Sequence, residues 1–196
     1  LSGFNVCPMA SKGGKSACLN TSGHGAFSNV QLGRINKTRW FIQERKTFLE
    51  QLEREIKNHV INCNKKGFIP CIRLNGTSDI SWENFDIIQK FSNVQFYDYT
   101  KVYKRALKFI NGELPGNYHL TYSLNEDNKK QAFSILKLGG NISAVFRKYL
   151  PKEFKSFKVI DADLSDLRFK DPLNSICGLV AKGKAKKDYS GFVLDC

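Results

Sequence analysis

An alternation beginning near residue 68 constrains this chain more than any other feature. Apolar runs rich in β-branched and aromatic residues at 68–74, 94–99, 118–123, 141–146, 157–161 and 176–181 read as strands, and the stretches at 82–91, 101–110 and 125–138 between the first four read as helices. Two strands running the same way need a long crossover, usually a helix, so strand–helix repetition predicts a mostly parallel sheet. About six such strands predict an α/β fold, either a doubly wound sheet or a partial or complete (β/α) barrel, and the barrel is the preferred expectation. Pro70 lacks a backbone donor, so the first strand is expected to be weak or to start late.

Upstream, Phe41, Phe48, Leu49, Leu52, Ile56, Val60 and Ile61 recur at helical spacing, and Lys65-Lys66-Gly67 supplies a basic last turn and a stop, which predicts one long helix over 38–65. Residues 1–37 carry six glycines and Pro8 with Ser and Asn between them and are expected to form a long loop holding Cys7, Cys18 and His24. With 196 residues and no linker-like stretch, the chain is read as one domain over 1–196, a Cys/Gly-rich loop followed by helix and β/α units.

Charge narrows the partners. Lys and Arg number 31 against 18 Asp and Glu, a formal net charge of +13, with local concentrations at 101–108, 147–148 and 182–187. A polyanion is the first partner such a chain suggests, and nucleic acid, DNA or RNA, is the expectation. No apolar run is long enough to span a membrane. Of the six cysteines, Cys71 and Cys177 lie inside apolar runs, where Cys packs as a small hydrophobe, so reduced thiols in a cytoplasm are expected. No phosphate loop, dinucleotide fingerprint, nucleophile elbow or HExxH is present.

In a parallel sheet the strand ends gather on one rim, where such folds place ligands. Six residues there have acid–base or hydrogen-bonding chemistry and are the expected catalytic set: Asn75, Asp79, Asp98, Lys101, Asp161 and Lys182. Arg73, Thr77, Ser78, Thr121, Ser123 and Lys184 accompany them as expected substrate contacts. Asp98 and Lys182 are the leading pair, either as acid and base or as a salt bridge across the rim. The run at 161–171 holds four aspartates, a composition that suits a hard cation such as Mg²⁺ or, equally, neutralisation by Arg168 and Lys170.

Several motifs together carry a family resemblance: Asn5-Val-Cys-Pro8, Ala17-Cys-Leu-Asn-Thr21, Arg73-Leu-Asn-Gly-Thr-Ser-Asp79, Val94-Gln-Phe-Tyr-Asp-Tyr-Thr-Lys101, Asn117-Tyr-His-Leu-Thr121 and Gly178-Leu-Val-Ala-Lys-Gly-Lys184. The chain resembles the gene product 88 family of phages, plasmids and bacteria, from its first residue almost to its last. That family is functionally uncharacterised, so the resemblance implies a mobile-element protein acting on or beside nucleic acid without naming a reaction. It also implies a further strand before the Cys loop and a third loop cysteine, whose place here is taken by Gly14. The layout of such a loop is similar to that of radical S-adenosylmethionine barrels, which makes an iron–sulfur cluster on Cys7 and Cys18 the cofactor it suggests. Two classes of function follow: an enzyme with its site on the rim beneath the Cys loop, or a basic nucleic-acid-binding protein without chemistry of its own.

Overall fold

The alternation folds into one eight-stranded sheet in the computed structural model, which describes residues 2–18 and 23–195. The strands are β1 Cys71–Ile72, β2 Gln95–Thr100, β3 Tyr118–Ser123, β4 Ile142–Phe146, β5 Glu153–Phe154, β6 Phe157–Asp161, β7 Ile176–Val180 and β8 Val193–Leu194. Their spatial order is β1-β2-β3-β4-β7-β6-β5, with β8 on β4, and every pairing except β5 with β6 is parallel. The helices are α1 Lys12–Ser16, α2 Ser28–Gln43, α3 Arg45–Lys65, α4 Ile87–Lys90, α5 Tyr103–Ile110 and α6 Lys129–Lys137.

Of the partial or complete barrel expected, closure is not shown among the described residues. Closure requires hydrogen bonds between the first and last strands, and here the ends of the path, β1 and β5, are two-residue edge strands not bonded to each other. Pro70 does delay β1, which shrinks to Cys71–Ile72. The long helix predicted over 38–65 is two helices, because Glu44 leaves helical geometry at φ −131° and ψ 53°. The loop predicted over 1–37 is overturned in its second half, where Ser28 begins α2, and at Lys12–Ser16, where Ser11 caps α1 by accepting from Gly14 N at 3.1 Å. The loop residues 19–22, which include Leu19, Asn20 and Thr21 of the motif at 17–21, lie outside the described residues, as do Leu1 and Cys196. The helix predicted over 82–91 is a 3-10 turn at Trp82–Asn84 followed by α4. No helix among the described residues is long and apolar enough to cross a membrane.

Helices cover one face of the sheet. There Phe96, Tyr118 and Leu120 pack with Ile56 of α3, Phe41 of α2 and Ile88 of α4, while Tyr122, Ile142, Ala144, Phe146 and Ile176 pack with Ala106 of α5 and Ala132, Ile135 and Leu136 of α6. These apolar positions alternate along each strand, as a buried strand face must. Gly178 on β7 is in register with Ala144 and belongs to the same face, where an added Cβ would lie 2.7 Å from Val159 Cγ1 and 2.9 Å from Leu150 Cδ2. Gly178→Ala is therefore expected to destabilise by about 1–3 kcal/mol through overpacking, read as a lower midpoint in chemical denaturation. An unchanged midpoint would show that β6 and β7 can separate at no cost.

Candidate functional site

The stretch at 73–79 is built around Asn75, which is 2% exposed. Its side-chain oxygen accepts from Ser78 Oγ at 2.7 Å, Ile80 N at 2.9 Å and Trp82 Nε1 at 3.2 Å, while its amide donates to Ile80 O at 2.9 Å and to Asp98 Oδ2 at 3.2 Å. Five bonds from one side chain fix the turn that carries the chain from β1 to Trp82, so this asparagine folds the motif it stands in. Its backbone N–H donates to Asp98 Oδ1 at 2.7 Å.

Asp98 is wholly buried and also accepts from Tyr118 Oη at 2.9 Å. Burial pushes its pKa up to about 7, against the lowering effect of the Asn75 and Tyr118 hydrogen bonds. Tyr118 Oη in turn accepts from Arg105 Nη2 at 3.1 Å. Arg105, 5% exposed, reaches Asp79 Oδ1 at 2.5 Å and forks onto Glu83 with bonds of 2.6 and 2.8 Å. Burial alone would lower the Arg105 pKa, but the Glu83 hydrogen bond and the charges of Glu83 and Asp79 hold it above its ordinary value. Asp79 Oδ2 accepts from Lys101 N at 2.7 Å. Asn75, Asp79 and Asp98 thus converge as expected, inside a continuous buried network whose charge-bearing centre is Arg105.

The other members of the expected rim stand elsewhere. Lys182 does not meet Asp98: it is exposed and donates to Asp163 Oδ1 at 2.6 Å. The Asp98–Lys182 salt bridge is therefore corrected, because Asp98 points into the helix-covered layer while Lys182 points to solvent. Asp161 is exposed and accepts from Asp163 N at 2.9 Å, closing a local turn. Thr77 and Lys184 are exposed, and Lys101 is half-buried with no side-chain bond among the described residues. The four aspartates of 161–171 do not converge on a cation: Asp163 holds Lys182, Asp166 holds Arg73 and Asp171 holds Arg168.

The second face of the sheet is polar. Tyr97 and Tyr99 on β2 lie in register with His119 and Thr121 on β3, and Ser123 with Ser143 and Cys177 farther along. Thr121 Oγ1 lies 3.4 Å from His119 Nε2, and Ser123 accepts from Ser143 at 3.3 Å. Residues 162–171 run across this face as a strap. Phe169 packs on Tyr97 with ring centroids 5.5 Å apart, and Asp166 accepts from Arg73 Nη1 at 3.0 Å and from Tyr99 Oη at 3.0 Å. Burial and then the Arg168 charge push His119 down to about 4, and burial first among several causes pushes the Cys177 thiol up to about 12. Both groups are neutral at pH 7, so neither a thiolate nor an imidazolium is available here. Arg105, Tyr97, Tyr99, His119 and Asp166 are absent from the sequence-derived set; the Tyr-x-Tyr and His-x-Thr-x-Ser alternations in strands flanked by crossovers are the signal that finds three of them, Tyr97, Tyr99 and His119.

The Cys loop lies against the strand ends. Val6 O accepts from Asp79 N at 2.7 Å, and Glu126, just beyond β3, accepts from Ser11 Oγ at 2.7 Å and Gly13 N at 2.6 Å. Glycine is required at 13, where a Cβ would lie 2.8 Å from Glu126 Oε1 and closer still to Ser190 Oγ. A Cβ at Gly14 would face Ser11 Oγ at 3.0 Å and the Phe192 ring. No group of three His, Cys, Asp or Glu that could hold a metal occurs among the described residues. Burial first raises the Cys7 pKa, against the Lys101 charge. An iron–sulfur cluster takes at least three local thiolates in such loops; the loop offers Cys7 and Cys18, and the residues present do not fit one.

A model of the family described as gene product 88 matches residues 2–196. The chain belongs to that family, which is uncharacterised. No curated protein and no solved structure matches it.

Proposed function

We propose that this member of the gene product 88 family binds nucleic acid through its phosphates, on the surface beyond the ends of β4 and β7. The observation that carries the reading is a run of cations interleaved with exposed aromatic rings. The turn Gly183–Lys187 holds Lys184, Lys186 and Lys187, all exposed and without an acidic partner among the described residues. Arg147, at the end of β4, bonds Lys186 O and Asp195, and its guanidinium lies 4.9 Å from the ring centroid of Tyr189. Tyr189 is 86% and Tyr149 57% exposed, and a depression of about 260 Å³ is lined by Arg147, Lys148, Tyr149 and Asp195. Phosphates meet the lysines there and bases can stack on the tyrosines, a combination that binds single strands with little sequence preference.

The strand order β1-β2-β3-β4, with helices on one face, supports reading the sheet as an open segment of a (β/α) barrel whose inner face is the polar one. An enzymatic site between that face and the Cys loop is the second reading, favoured by the bonds that hold 6–13 over the strand ends. The thiols of Cys7, Cys63, Cys71 and Cys177, outside any disulfide among the described residues, support a cytoplasmic setting.

Fluorescence anisotropy with labelled single-stranded DNA and RNA tests the binding reading. Affinity is expected to fall steeply with salt, and Lys184, Lys186 and Lys187 changed together to Gln are expected to lower the log–log slope by about 2, at roughly 0.7 per phosphate contact on a single strand. Absence of binding at low salt sinks the reading, as does a triple variant that binds like the native chain.

A further inference from the structure

We propose that Arg73, Tyr97 and Tyr99 form a binding site for a small oxyanion, a carboxylate or phosphate group, which the protein's own Asp166 occupies when the strap is in place. This site is separate from the nucleic-acid surface and does not depend on it.

Three donors from β2 and the end of β1 converge on one carboxylate. Asp166 Oδ2 takes Arg73 Nη1 at 3.0 Å and Tyr97 Oη at 3.4 Å, and Oδ1 takes Tyr99 Oη at 3.0 Å. The receiving groups are set by the sheet rather than by the strap. Arg73 Nε donates to Asn75 O at 3.2 Å, and its guanidinium lies 4.5 Å from the Tyr99 ring centroid, so its free edge is already aimed before any anion arrives. Tyr97 and Tyr99 stand two residues apart on one strand and present their hydroxyls side by side. A guanidinium edge flanked by two phenols is a receptor for a planar pair of oxygens.

The occupant is weakly held. The Asp166 side chain is 48% and the Arg73 side chain 30% exposed, and ion pairs so exposed contribute about 0–1 kcal/mol. The strap also carries an unmet cost in its closed position. Arg168, 1% exposed, donates through Nη2 to Ser165 O and its Nη1 forms an ion pair with Asp171 Oδ2 at 3.2 Å, but its Nε and Nη1 make no hydrogen bond. Buried guanidinium donors without a hydrogen bond oppose closure, a cost that the Asp171 charge offsets only in part. A free oxyanion can therefore exchange with Asp166, freeing Arg168 to find water or the ligand itself. Leu164 within the strap and Leu173 just past it are 83% and 75% exposed and pack against nothing that would hold the strap down.

The test uses the full chain, titrated calorimetrically with inorganic phosphate and, separately, with malonate at fixed ionic strength. Asp166→Asn removes the internal competitor and is expected to tighten oxyanion binding by up to about fivefold, the inverse of the competent fraction when the occupant is held by about 1 kcal/mol; which probe gains more identifies the group the site takes. Arg73→Met added to Asp166→Asn should abolish the gain, whereas changing Lys184, Lys186 and Lys187 to Gln should leave it intact. In the native chain, saturating oxyanion should speed hydrogen exchange in 162–171, a readout that needs no variant. Equal affinity for native and Asp166→Asn protein, a gain that survives Arg73→Met, or an unchanged exchange rate at saturation each overturns the proposal.

Discussion

Replacing Arg105 with Met is expected to destabilise the protein by about 3–5 kcal/mol, because the change leaves two carboxylates buried without their cation. Asp79 and Glu83 have side chains 2% and 8% exposed, and Arg105 supplies the only ion pair to each among the described residues. At about 2–4 °C per kcal/mol for a chain of this size, the melting temperature should fall by more than experimental scatter. Lys at 105 should recover little, since a single ammonium cannot reproduce the fork onto Glu83 and the bond to Asp79 together. Glu83→Gln added to Arg105→Met should recover part of the loss, because the amide removes one uncompensated charge. Differential scanning calorimetry of the three variants distinguishes this from a packing effect. A small loss in Arg105→Met, or a double variant worse than the single, would show that water reaches these carboxylates and that the network contributes little.

The sequence shows the alternation of strands and helices well because each element rests on local periodicity. Tyr118–Ser123 and Phe157–Asp161 are strands where they were predicted, and Gln95–Thr100, Ile142–Phe146 and Ile176–Val180 lie within one residue of their predicted ends. What periodicity cannot show is contact between distant segments. The break at Glu44 has no Gly or Pro to announce it; α2 and α3 fold back on one another through Trp40, Phe41 and Phe48, whose rings pack edge-on. The placement of the expected rim residues differs for a related reason. Strand order alone carries polar residues at strand ends to one exposed rim, but a strand's side chains alternate, so Asp98 turns toward the helices while Tyr97 and Tyr99 turn the other way. Asp79 and Asn75 were legible as polar residues of special position, but Arg105 was hidden in a basic stretch at 101–108 that charge alone reads as a solvated helix face. Its neighbours Lys104 and Lys108 are indeed exposed.

The second large effect concerns pH, where two buried groups act in opposite directions. Asp98, ordinarily near 3.8, is held at about 7 by burial, so between those values the folded chain binds a proton that the unfolded chain has released. Its contribution to stability is fully present below about 3.8 and is lost as pH rises through 7, by up to about 4 kcal/mol at roughly 1.4 kcal/mol per pH unit. His119, ordinarily near 6.5, is held at about 4 by burial and by Arg168, so the unfolded chain binds the extra proton and stability is lost as pH falls from 6.5 toward 4. Between pH 4 and 6.5 the two slopes oppose each other, and the native profile is expected to be nearly flat there, declining between 6.5 and about 7 as Asp98 alone titrates. Asp98→Asn removes one arm and should reveal the other as a stability that drops on acidification from pH 6.5 to 4. His119→Phe should do the reverse, its stability dropping as the pH rises from 4 to about 7. Urea midpoints measured across this range for the native chain and both variants carry the test: parallel profiles in all three would mean that Asp98 and His119 titrate in the folded protein as they do in the unfolded chain, and that the network around Asn75 and Tyr118 holds an ordinary carboxylate.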